Sequence, residues 1–179
     1  MQTTPELVAH RGHAREFPEN TLPALQSAID LGLRFVEFDV QLSADRVPVV
    51  IHDDELARTC GLAGSVFDRT AAELTALEAA ERSRFGERHA GVRMPSLEDV
   101  VALLGNHGHV TAFVEIKRAS LRRFGREVVL SKVLQAIAPV RERCVIISFD
   151  LPVLQPAREQ GVAIGWVLTV HDEASRAAC

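Results

Sequence analysis

Short apolar, β-branched segments alternate with helical patterns along this chain, and that alternation restricts the folds it can adopt. Strands are predicted at 7–10, 35–40, 47–51, 112–116, 144–148 and 163–169, and helices at about 22–31, 71–79, from 96, 121–137, 151–160 and from 171. Apolar strands followed by helices indicate a parallel sheet that is covered on both faces. Six such strands are compatible with an open doubly wound sheet or with most of a (β/α)8 barrel, and both architectures place ligand chemistry at the carboxyl ends of the strands.

The length predicts one globular domain, and the net charge is a further guide to its partners. The chain has 179 residues and a net charge of −4, which gives no general reason to bind nucleic acid or an anionic membrane. Cys60, Cys144 and Cys179 form no CxxC pair, which fits a reducing compartment and argues against a structural zinc site. Neither a secretory signal nor an apolar run of roughly 20 residues is present, so we expect a cytoplasmic protein without stable membrane insertion.

Titratable residues end four successive predicted strands. They are His10 with Arg11, Glu37 with Asp39, His52, and Glu115 with Lys117. Strand side chains alternate between faces, so Glu37 and Asp39 point to one side, where Glu115 is expected to join them. Three converging carboxylates repel one another unless a cation lies among them. Oxygen ligands of this kind suit one divalent ion, Mg²⁺ or Ca²⁺.

The remaining residues of this set point to phosphate chemistry. His10 and His52 are suited to carry protons near neutral pH, and Arg11 and Lys117 to bind a phosphate. Together with a metal they describe phosphoryl transfer or phosphodiester cleavage. Plainer interpretations remain open, since an ExD sequence is more often an exposed strand end and Lys117 has acids beside it to pair with.

Other polar residues are interpreted as structural. Asn20 or Thr21 is expected to cap the helix at 22–31, and Asp53 and Asp54 to lie in a loop and turn without a catalytic role. His89 and His171 are expected at the surface, and His13 in a solvated loop. His107 and His109 precede a strand at its amino end, which is the wrong side for this chemistry.

Five segments, taken together, carry a resemblance to a known family. These segments are "HRGHAREFPENTLPAL", "VEFDVQLSADRVPVVIHDDELARTCGLAG", "MPSLEDVVALL", "FVEIK" and "VIISFD". In order and spacing they resemble the glycerophosphodiester phosphodiesterases, over about residues 7–150, with weaker similarity to about 168.

The resemblance implies a TIM-type barrel of the phospholipase C-like phosphodiesterase kind, with a small insertion after the third strand that matches the irregular residues 58–95. It implies hydrolysis of small glycerophosphodiesters, such as glycerophosphocholine or glycerophosphoethanolamine, to glycerol 3-phosphate and an alcohol. The resemblance assigns metal binding to Glu37, Asp39 and Glu115. It assigns acid and base catalysis to His10 and His52. Arg11 and Lys117 bind the phosphate.

One departure from the family concerns length. Family members continue through two further strand–helix units, so we expect a single domain over 1–179 that is incomplete at its C-terminus after about six strands. Open barrel edges would then favour self-association. Two alternatives stay open: a related phospholipase-type phosphodiesterase, and an inactive fragment that binds metal or phosphodiester without turnover.

Overall fold

The structure, a computed structural model, describes residues 5–168. The strands are β1 (Val8–His10), β2 (Phe35–Leu42), β3 (Pro48–Val50), β4 (Thr111–Ile116), β5 (Cys144–Ser148) and β6 (Ala163–Trp166). The helices are α1 (Leu22–Asp30), α2 (Ala57–Cys60), α3 (Ala71–Thr75), α4 (Arg82–Phe85), α5 (Leu97–Gly105), α6 (Arg118–Phe124), α7 (Arg126–Ala136) and α8 (Leu151–Glu159). Within this described part, no helix combines the length and apolar character needed to cross a membrane. The predicted helix from residue 171 lies outside the described residues.

Five of the strands form a parallel sheet in the order β1-β2-β4-β5-β6, as the strand–helix alternation predicts. β3 is different, because it pairs with β2 in the antiparallel direction, with Val40 opposite Val50 and Leu42 opposite Pro48. The expectation that 47–51 continues a parallel series is therefore wrong. The cause is local, since only residues 43–47 separate β2 from β3 and a parallel crossover needs a dozen or more.

The core lies between the sheet and the helices that follow its strands. Val36, Phe38 and Val40 project from one face of β2 and are fully buried against this layer. The opposite face of β2 carries Glu37 and Asp39, so the alternation of the strand separates packing from chemistry. A second apolar cluster lies beneath the irregular segment after β3 and consists of Val49, Ile51, Leu56, Val66, Leu74, Ala79 and Met94.

Helix boundaries follow the capping signals with one exception. Thr21, rather than Asn20, caps α1, because its side chain accepts from the backbone N–H of Ala24. Ser96 and Asp99 form a reciprocal capping box at the start of α5. The helix predicted over 121–137 is in fact two helices, α6 and α7, because Gly125 has a φ of 85° and interrupts the helical backbone.

Gly12 lies in the loop between β1 and α1 and allows this loop to approach the backbone of α1 closely. Its φ is +77°, and a Cβ built there would lie 2.6 Å from the carbonyl carbon of Ala24. Because real Cβ atoms do not approach backbone so closely, only glycine allows this loop to rest against α1.

Replacing Gly12 by alanine should therefore destabilise the fold more than the same change at Gly32. Gly32 also has a positive φ, +83°, but a Cβ there meets nothing within 4 Å. We expect Gly32→Ala to cost about 1–2 kcal/mol from backbone strain and Gly12→Ala about 1–3 kcal/mol beyond that from the clash. Denaturant unfolding of both variants measures the difference, and equal costs would contradict the close contact.

Candidate active site

Three buried carboxylates converge at the carboxyl end of the sheet. Glu37 and Asp39 lie on β2, and Glu115 lies directly opposite Asp39 on β4. One oxygen from each of the three lies within 4.8 Å of the others, and all three side chains are buried. The sequence-based prediction that these acids meet is confirmed by this geometry.

Two cations lie against these acids. The Lys117 Nζ donates to Glu115 Oε1 at 2.8 Å and lies 3.1 Å from Asp39 Oδ1. On the other side, Arg11 Nε lies 3.1 Å from Asp39 Oδ2. The pairing of Lys117 with Glu115 and Asp39, which the sequence left as the plainer interpretation, is therefore present in the structure. Both cations therefore lie directly beside the acids, at the edge of the same site.

Part of the acid cluster has no hydrogen-bond partner among residues 5–168. Glu37 Oε1 and Asp39 Oδ1 are the two carboxylate oxygens concerned, and Lys117 Nζ approaches Asp39 Oδ1 without the alignment of a hydrogen bond. Burial, reinforced by the charge of Asp39, raises the pKa of Glu37 to about 8. Buried carboxylate oxygens that lack hydrogen bonds form a donor set that fits a hard divalent cation.

The loop after β1 holds Glu37 through the backbone of Arg11. Arg11 has a φ of 57°, in the left-handed region that non-glycine residues rarely adopt. In this conformation its N–H donates to Glu37 Oε2 at 3.0 Å, while its Nη1 donates to Glu19 Oε1 at 2.9 Å. The strained residue thus bonds Glu37 with its backbone, and its side chain reaches Asp39 within the cluster and Glu19 outside it.

Asn20 is a site residue that sequence reasoning assigned to helix capping. Its Nδ2 donates to Asp39 Oδ2 at 2.8 Å, and its Oδ1 accepts from the Asp39 N–H at 3.0 Å. Asn20 is buried and has a φ of 58°, a conformation that asparagine tolerates better than most residues. The signal for it was present in the "PENT" portion of the family resemblance, although not in any local pattern.

The two candidate proton carriers differ in their surroundings. His10 ends β1, its side chain is 68 % exposed, and its Nε2 lies 3.9 Å from Glu37 Oε2. His52 follows β3, where the antiparallel pairing brings the chain back beside β2: the Ile51 N–H donates to the Asp39 carbonyl at 3.0 Å. The β2–β3 hairpin therefore places His52 near the acids, although β3 is antiparallel to β2.

Asp53 is a second residue that sequence reasoning missed. Its Oδ1 lies 2.6 Å from His52 Nδ1, so it is not a plain loop residue. A carboxylate only accepts hydrogen bonds, so Nδ1 is the donor and Nε2 is left to face other groups. Burial works to raise the pKa of Asp53, but Arg58 and His52 outweigh it and hold that pKa below its usual value. An open cavity of about 230 Å³ adjoins His52, Asp53, Glu115, Lys117 and Phe149.

Within residues 5–168, the other histidines make their hydrogen bonds and ring contacts outside the acid cluster. His13 lies in the loop after β1 and bonds Ser27 Oγ through Nδ1 at 3.0 Å, and His107 and His109 precede β4 at its amino end, as predicted. His89 was expected at the surface, and that expectation is wrong. It is 8 % exposed, because its Nε2 bonds the Glu16 carbonyl at 2.8 Å and its ring packs edge-on against Phe85. His171 lies outside the described residues.

Similarity to characterised sequences agrees with this geometry. A sequence model of the Glycerophosphoryl diester phosphodiesterase family matches residues 10–178. A glycerophosphodiester phosphodiesterase of Caldanaerobacter subterraneus is 38% identical over 144 residues, which are 80% of this chain and 58% of that protein. The chain thus spans little more than half the length of that relative.

Two solved structures share the fold. A phosphodiesterase of Oleispira antarctica, in complex with the product sn-glycerol-3-phosphate, has a TM-score of 0.84 at 27% identity, over 97% of this chain and 70% of that one. A glycerophosphodiester phosphodiesterase of Thermotoga maritima has a TM-score of 0.70 at 29% identity, over 96% and 65%.

These likenesses confirm the predicted barrel-type α/β architecture, of which the described residues form five parallel strands and one hairpin strand. The family match covers nearly the whole chain and includes every residue of the acid cluster. This chain belongs to the glycerophosphoryl diester phosphodiesterase family.

Proposed function

We propose that this protein hydrolyses small glycerophosphodiesters to glycerol 3-phosphate and an alcohol, with the help of one divalent cation. The observation that carries the proposal is the convergence of Glu37, Asp39 and Glu115 within 4.8 Å, with two of their oxygens lacking hydrogen-bond partners among the described residues. Support for the substrate class comes from the family and from the glycerol 3-phosphate bound to the Oleispira neighbour.

The charges of the site are suited to this reaction. When all three acids are deprotonated, they and a phosphodiester anion bring four negative charges into a largely buried space, where uncompensated charge is costly. Arg11 and Lys117 offset two of them, and a divalent cation, Mg²⁺ or Ca²⁺, held by the three acids would offset the other two. When bound, such an ion supplies Lewis-acid polarisation of a phosphoryl oxygen.

The residues around the acids take the remaining roles. Arg11 and Lys117 donate to the phosphate oxygens from opposite sides of Asp39. His52, with its Nδ1–H fixed on Asp53, presents Nε2 as one proton carrier, and His10 at the end of β1 is the other. One histidine removes a proton from the nucleophile and the other protonates the leaving alcohol.

Several other expectations from the sequence remain predictions. These are a single domain over 1–179 with residues 58–95 as an insertion, a cytoplasmic location, no association with nucleic acid, and self-association through uncovered strand edges. Size-exclusion chromatography coupled to light scattering tests the last of them.

Metal binding is tested by calorimetry with Mg²⁺ and Ca²⁺ on the wild type, Glu37→Gln and Glu142→Gln. Glu142 is exposed and distant in sequence from the cluster, so it is a matched control for the loss of one carboxylate. We expect about a tenfold or greater loss of affinity for Glu37→Gln, since removing a charge-assisted contact costs about 1.5–3 kcal/mol. Equal affinities for all three proteins would contradict the assigned site.

Turnover is tested by release of glycerol 3-phosphate from glycerophosphocholine. We expect His52→Gln and His10→Gln each to lower kcat by about 10²- to 10⁴-fold, the usual contribution of general acid–base catalysis. His109→Gln, an exposed change at the amino end of β4, should keep wild-type activity. Activity that survives in either site variant would refute the role of that histidine.

Substrate class is tested by offering glycerophosphocholine, glycerophosphoethanolamine and phospholipid vesicles to the same protein with and without EDTA. We expect hydrolysis of the small diesters, loss of it in EDTA, and no release from lipid. Cleavage of lipid alone would favour a phospholipase-type activity. Binding of the diesters without turnover would favour an inactive binding fragment.

A further inference from the structure

Arg58, at the start of the irregular segment after β3, contacts carboxylates from three parts of the chain. Its Nε donates to Asp53 Oδ2 at 2.6 Å and its Nη2 donates to Glu19 Oε1 at 2.7 Å. Its Nη1 lies 3.9 Å from Glu81 Oε1. Glu19 and Glu81 are buried, so this is more than a surface ion pair.

Two of these carboxylates also hold residues of the proposed catalytic machinery. Asp53 uses its second oxygen to accept from His52 Nδ1 at 2.6 Å. Glu19 Oε1 accepts from Arg11 Nη1 at 2.9 Å as well as from Arg58. A continuous path of hydrogen bonds therefore runs from the candidate proton carrier to the candidate phosphate-binding arginine, with Arg58 at its centre.

We propose that Arg58 is a positioning residue that couples His52 to Arg11 through the two carboxylates of Asp53 and Glu19. The inference rests on the proposed function, which gives His52 and Arg11 their roles. Arg58 itself touches neither the acid cluster nor any group assigned to react. It acts by fixing how the loop after β1 and the loop after β3 face each other across the site.

The chemistry of the guanidinium suits this task. Its planar fork presents donors in two directions at once, whereas the ammonium of a lysine is a compact point charge. Both partners remain carboxylates, because burial, which would raise the pKa of Glu19, is outweighed by Arg58 and Arg11, and the pKa lies below its usual value. The same balance lowers the pKa of Asp53.

The irregular segment after β3 also holds Glu19, one of the carboxylates in this path, through its backbone. Glu81 has a φ of 44° and is 1 % exposed, and its Oε1 accepts from the backbone N–H of Glu19 at 3.1 Å. In the same region Arg84 Nη2 donates to the Ala14 carbonyl at 2.6 Å. Side chains of this segment thus bond the backbone of the loop after β1, so Glu19 is also held by contacts other than those of Arg58.

The first test compares Arg58→Gln and Arg58→Lys with Arg82→Gln. Arg82 lies in the same segment and pairs with Glu78 and Glu87, away from Asp53 and Glu19, so it controls for the lost charge. We expect Arg58→Gln to lower kcat/KM about 10- to 100-fold, the scale of a small misplacement of reacting groups. Arg58→Lys, which keeps the charge without the fork, should recover less than half of that loss on a logarithmic scale. Wild-type activity in Arg58→Lys, or in Arg58→Gln, would overturn the proposal.

A double-mutant cycle with Asp53→Asn tests the path itself. If Arg58 acts on His52 through Asp53, the second substitution interrupts a path that is already broken, so the double variant should lose less than the product of the two single losses. Strictly multiplicative losses would mean independent roles and would overturn the coupling.

A measurement that needs no turnover separates this inference from the proposed function. Long-range ¹H–¹⁵N NMR on the neutral ring should show the Nδ1–H tautomer of His52 in the wild type and in Arg82→Gln, and a mixture of tautomers in Arg58→Gln. The His52 signal is assigned by its absence in His52→Gln. An unchanged tautomer in Arg58→Gln overturns the inference whatever the activity. Absence of turnover in the wild type sinks the proposed function, while a tautomer that depends on Arg58 still supports the positioning of His52.

Discussion

Asp39 is fully buried and carries a carboxylate, and the arrangement of the site follows from that constraint. A charge in such a place is tolerated only with ionic partners and hydrogen bonds around it. Arg11 from the loop after β1, Lys117 from the end of β4 and Asn20 from the loop before α1 all reach it. Arg11 and Asn20 lie near the two ends of the single loop between β1 and α1, and Lys117 follows β4. The stabilisation of one carboxylate therefore brings both ends of that loop together with the end of β4.

The acid cluster is predictable from the sequence because it depends on local periodicity. Glu37 and Asp39 lie two residues apart on a strand, which puts them on one face whatever the rest of the fold does. Glu115 stands at the end of another strand with the same alternation, and parallel pairing then places it opposite Asp39. The direction of β3 was also within reach of the sequence, since five intervening residues exclude a parallel crossover.

Asn20, Asp53 and Arg58 were beyond such reasoning because their partners are set by tertiary contacts. Asn20 resembles a helix cap, and only the path of the loop shows that it bonds Asp39, 19 residues away. Arg58 and Glu19 are 39 residues apart, and Glu19 and Glu81 are 62 apart. No periodicity links positions in two irregular segments. The segments of the family resemblance contain Glu19, Asn20, Asp53 and Arg58, but not Glu81.

The irregular segment after β3 has two attachments of different physical kinds, and together they explain why it belongs to the site. Its apolar residues form their own cluster with Val49 and Ile51, which fixes it to the hairpin that carries His52. Its polar residues instead bond the loop after β1, through Glu81 to Glu19 and through His89 to Glu16. Apolar burial is tolerant of small shifts, whereas short charge-assisted hydrogen bonds are directional. The apolar cluster therefore holds the segment on the sheet, and the polar contacts set the orientation of the two loops that face the buried acids.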